Sequence, residues 1–201
     1  MHPNRAFDWQ DRGQMLAFAG ERAFAHIFAS AGEQLFVVHA PVFVTERGNL
    51  LFHVAKRNRI AEHLANRRVL ISIAGREAYH SANWYVSDNQ VPTWHYEAVE
   101  IEGEARPLSE DELVDQLDRL SDRFEGIVSP DRPWTRAKME PGKFEAMTKA
   151  IVGFEVVPFE VRGTRKFNQH KSAEDLAATI AGQVGAGRED IVQAISEATA
   201  P

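Results

Sequence analysis

The chain has 201 residues, 44% of them hydrophobic, and 23 Lys and Arg against 29 Asp and Glu, for a formal net charge of −6. That size and apolar content suit one domain, or one domain with a small appendage, around a sizeable core. With no cysteine there can be no disulfide, thiolate metal site or cysteine nucleophile. The acidic balance argues against a broad electrostatic grip on nucleic acid. No apolar run approaches the roughly 20 residues that span a bilayer, and the polar first residues give no sign of a signal peptide; the absence of cysteine is compatible with the cytoplasm.

Taken in chain order, Asp8 is expected to cap a short amphipathic helix carrying Trp9, Met15, Leu16 and Phe18. The segments 23–30 and 34–44 read as strands, with Pro41 at a bulge or an edge. "ERGNL" supplies hairpin-turn residues and "NLLFHV" the returning strand. Residues 58–65 read as two helical turns with Ile60, Ala61 and Leu64 inward. Two further strands are expected at 68–75 and 77–86.

"EAVEIEGEAR" alternates cleanly, with Val99, Ile101, Gly103 and Ala105 on one face and Glu100, Glu102 and Glu104 on the other. It reads as a strand with one wet face. Ser109 and Glu112 form a capping box ahead of a helix carrying Leu113, Leu117 and Leu120. A loop at 128–134, a short helix near 141–150 and a long strand at 151–161 follow. The polar run 162–172 reads as a loop. Ser172 opens a helical stretch that is broken at Gly185–Gly187 and then resumes. Mostly consecutive strands without long β–α–β alternation favour an antiparallel barrel with peripheral helices over a doubly wound sheet.

The motifs of a Rossmann site, a P-loop, a zincin or a nucleophile elbow are all missing. The eight histidines are dispersed, so no metal site is expected. Two stretches stand out instead. Lys56, Arg57 and Arg59 gather around Asn58 where a strand hands over to a helix-like pattern. Cations there oppose the helix dipole by some tenths of a kcal/mol each unless an anion neutralises them, and a phosphate would suit that place. The alternative is a solvated basic turn, paired with Glu62 or with other carboxylates. The second stretch, 79–96, holds Trp84 and Trp94 around an exposed loop. Such aromatics suit stacking on a planar ligand, or else they belong to the core or to a dimer interface. Phosphate anchor and aromatic platform together suggest FMN or pyridoxal phosphate. No lysine lies in the apolar strands to form a Schiff base, which favours FMN.

At these residues the chain resembles the PaiB-type family, described as FMN-binding negative transcriptional regulators, in the FMN-binding split-barrel superfamily. The resemblance is carried by "MHPNRAFDW", "VVHAPVFVTERGNLLFHVAKRN", "ANWYVSDNQVPTWHYEAVEIEG" and "IVGFEVVPFEVRGTRKFNQHKS". It implies a mainly β protein with peripheral helices: a six-stranded antiparallel split barrel with Greek-key character over residues 1–172, followed by a C-terminal helical appendage at 173–201. It also implies a homodimer with FMN at the interface. Arg57, Asn58 and Arg59 would hold the phosphate. His39, Pro41, Val42, His53 and Val54 would line the flavin. Trp84, Tyr85, Trp94 and His95 would form an aromatic wall, and Lys166, Asn168 and Gln169 would close the site. The chain departs from the family at His95, where asparagine is usual, and in the late loop at Asn168, Gln169 and His170.

Three functions compete. The first is a cytoplasmic flavin-dependent redox protein, an FMN-dependent oxidoreductase if it turns over, with an unidentified small-molecule electron donor or acceptor. The second is a transcriptional regulator without redox turnover, for which the charge balance makes direct DNA binding unattractive. The third is a haem-binding split-barrel protein.

Overall fold

The computed structural model describes residues 2–199. Its strands are β1 (Asp8–Trp9), β2 (Phe24–Ala31), β3 (Gln34–Val44), β4 (Leu50–Ala55), β5 (Arg67–His80), β6 (Thr93–Pro107) and β7 (Ile151–Lys166). Its α-helices are α1 (Arg12–Arg22), α2 (Glu110–Val128), α3 (Lys143–Thr148), α4 (Ala173–Gly185) and α5 (Glu189–Thr199). The strands pair in the order β1-β7-β4-β3-β2-β5-β6, and β6 also pairs with β7. That last pairing joins six strands in a ring, with β1 appended to β7. β2, β3 and β4 are consecutive antiparallel neighbours and β5 returns beside β2, the Greek-key order. The expected mainly β, antiparallel architecture is what the chain adopts. Among the described residues no helix is long and apolar enough to cross a membrane.

The chain divides into two compact units. The first, the barrel unit, comprises Leu16–Ile73 and Glu100–Val161. Alternation along its strands sends Ile27, Val42, Phe52, Ile71, Ile101 and Val156 inward, each no more than 1% exposed. Burial of each such side chain contributes about 1.5–3 kcal/mol. Gly103 is required where β6 meets β7, since a Cβ there would lie 2.4 Å from Val156 Cγ1 and 2.6 Å from the Val157 carbonyl oxygen. The β3–β4 turn closes through Gly48, at φ +79°, whose N–H donates to the Thr45 carbonyl at 2.9 Å. Pro41 is on an internal strand, not an edge. The β3–β4 register runs from Val44↔Leu50 to Val42↔Phe52 and stops one residue short of it, so its missing N–H breaks no rung there. The capping box of α2 forms as expected, Ser109 Oγ accepting from the Glu112 N–H and Glu112 from the Ser109 N–H.

The second, the terminal unit, comprises Met1–Met15, Ala74–Val99 and Arg162–Pro201. Ile191, Ala194 and Ile195 of α5 pack with Ala78 of β5 and Phe167 just beyond β7. Arg76 reaches the buried Glu97 of β6 at 2.6 Å and Glu197 of α5 at 2.5 Å. The expected Ser172 cap and the break before the last helix are both present, with Gly187 at φ +69°.

Four further local expectations are corrected. Asp8 does not cap a helix: Asp8 and Trp9 pair with Thr164 and Gly163 of β7, and Asp11 caps α1 by accepting from the Gln14 N–H at 3.0 Å. Residues 58–65 do not form two helical turns. Asn58 Oδ1 accepts from the Ile60 N–H at 3.2 Å, which tightens the chain, and only a single 3-10 turn follows at Ala61–His63. Ile60 and Leu64 are buried as expected, whereas Ala61 is half-buried. The two strands expected at 68–75 and 77–86 are one strand to His80, because Glu97 pairs with the Arg76 guanidinium and lets the strand pass; a 3-10 turn at Ala82–Trp84 follows. The loop expected from 162 begins only after Lys166, since the pairing with β1 extends β7.

Candidate functional site

The basic corner lies in the barrel unit, directly after β4. The Lys56 N–H donates to the Ala150 carbonyl and the Asn58 N–H to the Ala55 carbonyl, both at 2.9 Å. Ile60, 1% exposed, anchors the far side in the core. A backbone fixed at both ends turns Lys56, Arg57, Asn58 and Arg59 outward, all exposed. Among the described residues no carboxylate forms an ion pair with Lys56, Arg57 or Arg59. Glu62 lies instead 3.5 Å from His63. The Arg59 guanidinium carbon stands 5.5 Å from the centre of the Phe36 ring. Beside it runs a groove of about 450 Å³ lined by Leu35, Phe36, Val37, Asn58, Arg59 and Ile60. One wall of that groove is apolar, and the other carries the Arg59 guanidinium and the Asn58 amide.

The other expected site residues of this unit occupy three kinds of place. Val42 and Val54 are core side chains, and Pro41 is half-buried. His39 is exposed, directly opposite His26 in the register, with ring centres 4.6 Å apart in an edge contact. His53 faces α2, where its Nδ1 is 3.2 Å from Gln116 Nε2. Burial lowers its pKa, so the neutral ring accepts a hydrogen bond from the amide.

The aromatic set belongs to the terminal unit and separates into exposed and enclosed members. Trp94 is 54% exposed and meets Tyr79, also exposed, edge to face at 6.2 Å. Trp84 lies against α4 at Gly182, where a Cβ would come within 2.3 Å of its ring. The Tyr85 hydroxyl accepts from Asn168 Nδ2 at 2.9 Å, and the same amide donates to Thr179 at 3.3 Å. His95 is fully buried and stacks on His80 at 4.8 Å. Lys166 donates to Thr93 at 2.6 Å, with its pKa lowered by burial. Gln169 accepts from the Phe167 N–H at 2.8 Å and donates to the Ala6 carbonyl at 3.0 Å. Asn168 and Gln169 thus commit their amides inside this unit and His95 is enclosed in it, while Trp94 presents its ring to solvent.

Sequence reasoning missed Tyr79, His80 and Gln183, and the apolar groove wall of Leu35, Phe36 and Val37. The wall was legible in the period-2 pattern of β3, whose outward residues include two that are apolar. Gln183 left no signal, because its partners come from distant strands.

The corner's donors are two guanidinium groups, an ammonium and a carboxamide, which match a phosphate monoester in charge and hydrogen-bonding sense. The apolar wall suits a flat ring. No group of three or more His, Cys, Asp or Glu that could hold a metal occurs among the described residues. Residues 1–158 match the family described as "Putative FMN-binding domain". The Bacillus subtilis (strain 168) protein named protease synthase and sporulation protein PAI 2 is 34% identical over 112 residues, 56% of this chain and 53% of that protein. The chain thus spans about half the length of this curated relative. Among solved structures, the FAD and haem binding protein from Mycobacterium smegmatis is similar with a TM-score of 0.60 at 15% identity, over 85% of this chain and 79% of that one. The flavocytochrome Anf3 from Azotobacter vinelandii gives a TM-score of 0.61 at 13% identity, over 82% and 72%. At such identities the likeness is one of fold.

Proposed function

The chain belongs to the PaiB-type family of FMN-binding domains, and from this we propose that it binds FMN with the phosphate held at the corner after β4. The observation that carries the reading is the set of three exposed cations without a carboxylate partner, arranged around Asn58 on a backbone pinned from both sides. Arg57 and Arg59 offer guanidinium forks, Lys56 a point charge and Asn58 an amide. The apolar side of the groove, with Phe36, accommodates the ring system and excludes water from one of its faces. When bound, FMN supplies electron or hydride transfer that no side chain can perform. His39, exposed beside this face, is proposed to hydrogen-bond the ring. The Trp94–Tyr79 face is proposed, on its own account, as a stacking surface for a planar ring.

The protein is further proposed to be a cytoplasmic homodimer. Support comes from the outward face of the β2–β3 hairpin, where Phe24, Phe28, Leu35 and Val37 are 40–84% exposed. Phe28, Leu35 and Val37 are neighbours in the register, with Phe24 beyond the His26–His39 pair, and exposed apolar side chains grouped in this way mark interaction surfaces. Turnover as an FMN-dependent oxidoreductase would need a small-molecule donor and acceptor. A second reading, regulation, is favoured by the relative whose name refers to a protease synthase and to sporulation. Direct DNA contact through α2 is disfavoured, because its first turn carries Glu110, Asp111 and Glu112.

The test is the absorbance of protein purified from cells, followed by titration with FMN and, as a control, haem. A flavin band, or saturable FMN binding at one per chain, is expected. A colourless protein that ignores added FMN would overturn the proposal.

A further inference from the structure

The interior of the terminal unit holds a polar cluster that plays no part in the basic corner. His80, at the end of β5, and His95, on β6, are both 0% exposed, and their rings stack at 26°. Tyr85 and Trp84 meet His80 edge-on at 4.5 and 5.1 Å, and Phe167 covers His95 at 5.9 Å. From α4 the buried Gln183 brings its Nε2 to 3.5 Å from His95 Nδ1 and donates to the Tyr79 carbonyl at 3.3 Å. Among the described residues neither nitrogen of His80, nor His95 Nε2, nor Gln183 Oε1 has a hydrogen-bond partner.

An imidazolium needs an acceptor for each of its two N–H groups. His80 has none, and the group facing His95 Nδ1 is itself a donor. The charged neighbours do not help. Lys171, ahead of α4, lies 5.0 Å over the Tyr85 ring, and Lys166 of β7 is a second cation. The carboxylate of α4, Asp175, is already taken by the Val86 and Ser87 N–H groups at 2.9 and 3.0 Å and by Ser87 Oγ at 2.6 Å. Tyr85 is a neutral phenol bonded to Asn168. A proton on either ring would therefore be buried without a counter-charge, against a second imidazole.

We propose that the His80–His95 pair is a proton-operated fastening: neutral, it lets α4 lie against β5 and β6, and protonated, it releases α4 together with the segment 82–87 that α4 holds through Gly182 against Trp84 and through Asp175 bonded to Val86 and Ser87. This rests on the cluster alone and requires no cofactor. Burial, then Lys171 for His80 and His80 for His95, outweighs the Asn168 amide that favours a charged His95, and brings both pKa values down to about 4 from 6.5. The fastened form therefore binds fewer protons than the released form between those values. Fastening is complete above about pH 6.5 and is lost as pH falls towards 4. Between pH 7 and pH 5, each of the two rings favours release by roughly 20-fold.

Hydrogen exchange of the full chain at pH 7 and pH 5, corrected for intrinsic rates, tests this. Peptides covering 82–87 and 173–185 should open at least roughly 20-fold more often at pH 5, while those covering 34–55 stay unchanged. In His80→Phe/His95→Phe that response should vanish. Equal protection of α4 at the two pH values, or the same response in the variant, would overturn the proposal. If the variant does not fold, a wild-type NMR titration of the eight histidines decides. Two rings staying neutral until α4 begins to exchange support it, and ordinary titration of all eight near 6.5 refutes it.

Discussion

Around Asn58 two jobs fall to adjacent residues. Backbone bonds from Lys56 and Asn58 and the buried Ile60 fix where the corner points, while the side chains of Arg57 and Arg59 decide what it attracts. Removing the charges should therefore leave the fold intact. Arg57→Ala/Arg59→Ala is expected to weaken FMN binding by about 1.5–3 kcal/mol for each charge-assisted contact, roughly tenfold to a hundredfold per contact, with an unchanged far-UV spectrum. Ile60→Ala should instead cost about 2–5 kcal/mol of stability, because it empties a core site, and thermal melting would register it. Trp94→Ala is the separate test of the exposed aromatic face: stability should hold, because the ring is half in solvent, and flavin affinity should fall.

The elements differ in how much of their construction could be read in advance. Alternation in β6 and the Ser109–Glu112 capping box are local patterns, and both appear as expected. Most of the corrections come from residues whose partners are far along the chain. Arg76 looks like a break between strands until Glu97 neutralises it, and 162–166 looks like a loop until β1 pairs with it. The three-residue 3-10 turn after Asn58 follows from one Asx hydrogen bond, a competitor that helical periodicity does not count. Consequently the phosphate reading cannot rest on a helix terminus; it rests on side-chain charge without a partner. Where β6 closes on β7, Gly103→Ala would drive a methyl into the Val157 carbonyl and Val156. Overpacking of about 1–3 kcal/mol is expected, which differential scanning calorimetry would report as a melting temperature about 2–4 °C lower per kcal/mol. Gly182→Ala should act likewise through Trp84, with a change in tryptophan fluorescence that Gly103→Ala lacks.

For the whole molecule, the six-stranded antiparallel order and the flavin cofactor were legible through the resemblance of a few blocks, whereas the division of the expected site residues between two compact units was not. His95 and Asn168 sit in quoted motifs yet are enclosed in the terminal unit, because burial depends on α4, which follows in sequence after both. Self-association belongs to this scale too. If the β2–β3 face is covered by a second copy, Leu35→Glu/Val37→Lys should convert the dimer to a monomer in analytical ultracentrifugation, and a dimer that persists unchanged would place the interface elsewhere.

The central claim is that unpartnered cations after β4 are neutralised by the phosphate of FMN. Isothermal titration of the wild-type chain and of Arg57→Ala/Arg59→Ala with FMN, and with riboflavin as the phosphate-free analogue, tests it most directly. The account predicts one FMN per chain, weaker binding of riboflavin than of FMN by wild type, and loss of that difference in the variant. Equal affinity of the wild type for FMN and riboflavin, or a difference that survives in the variant, would contradict it.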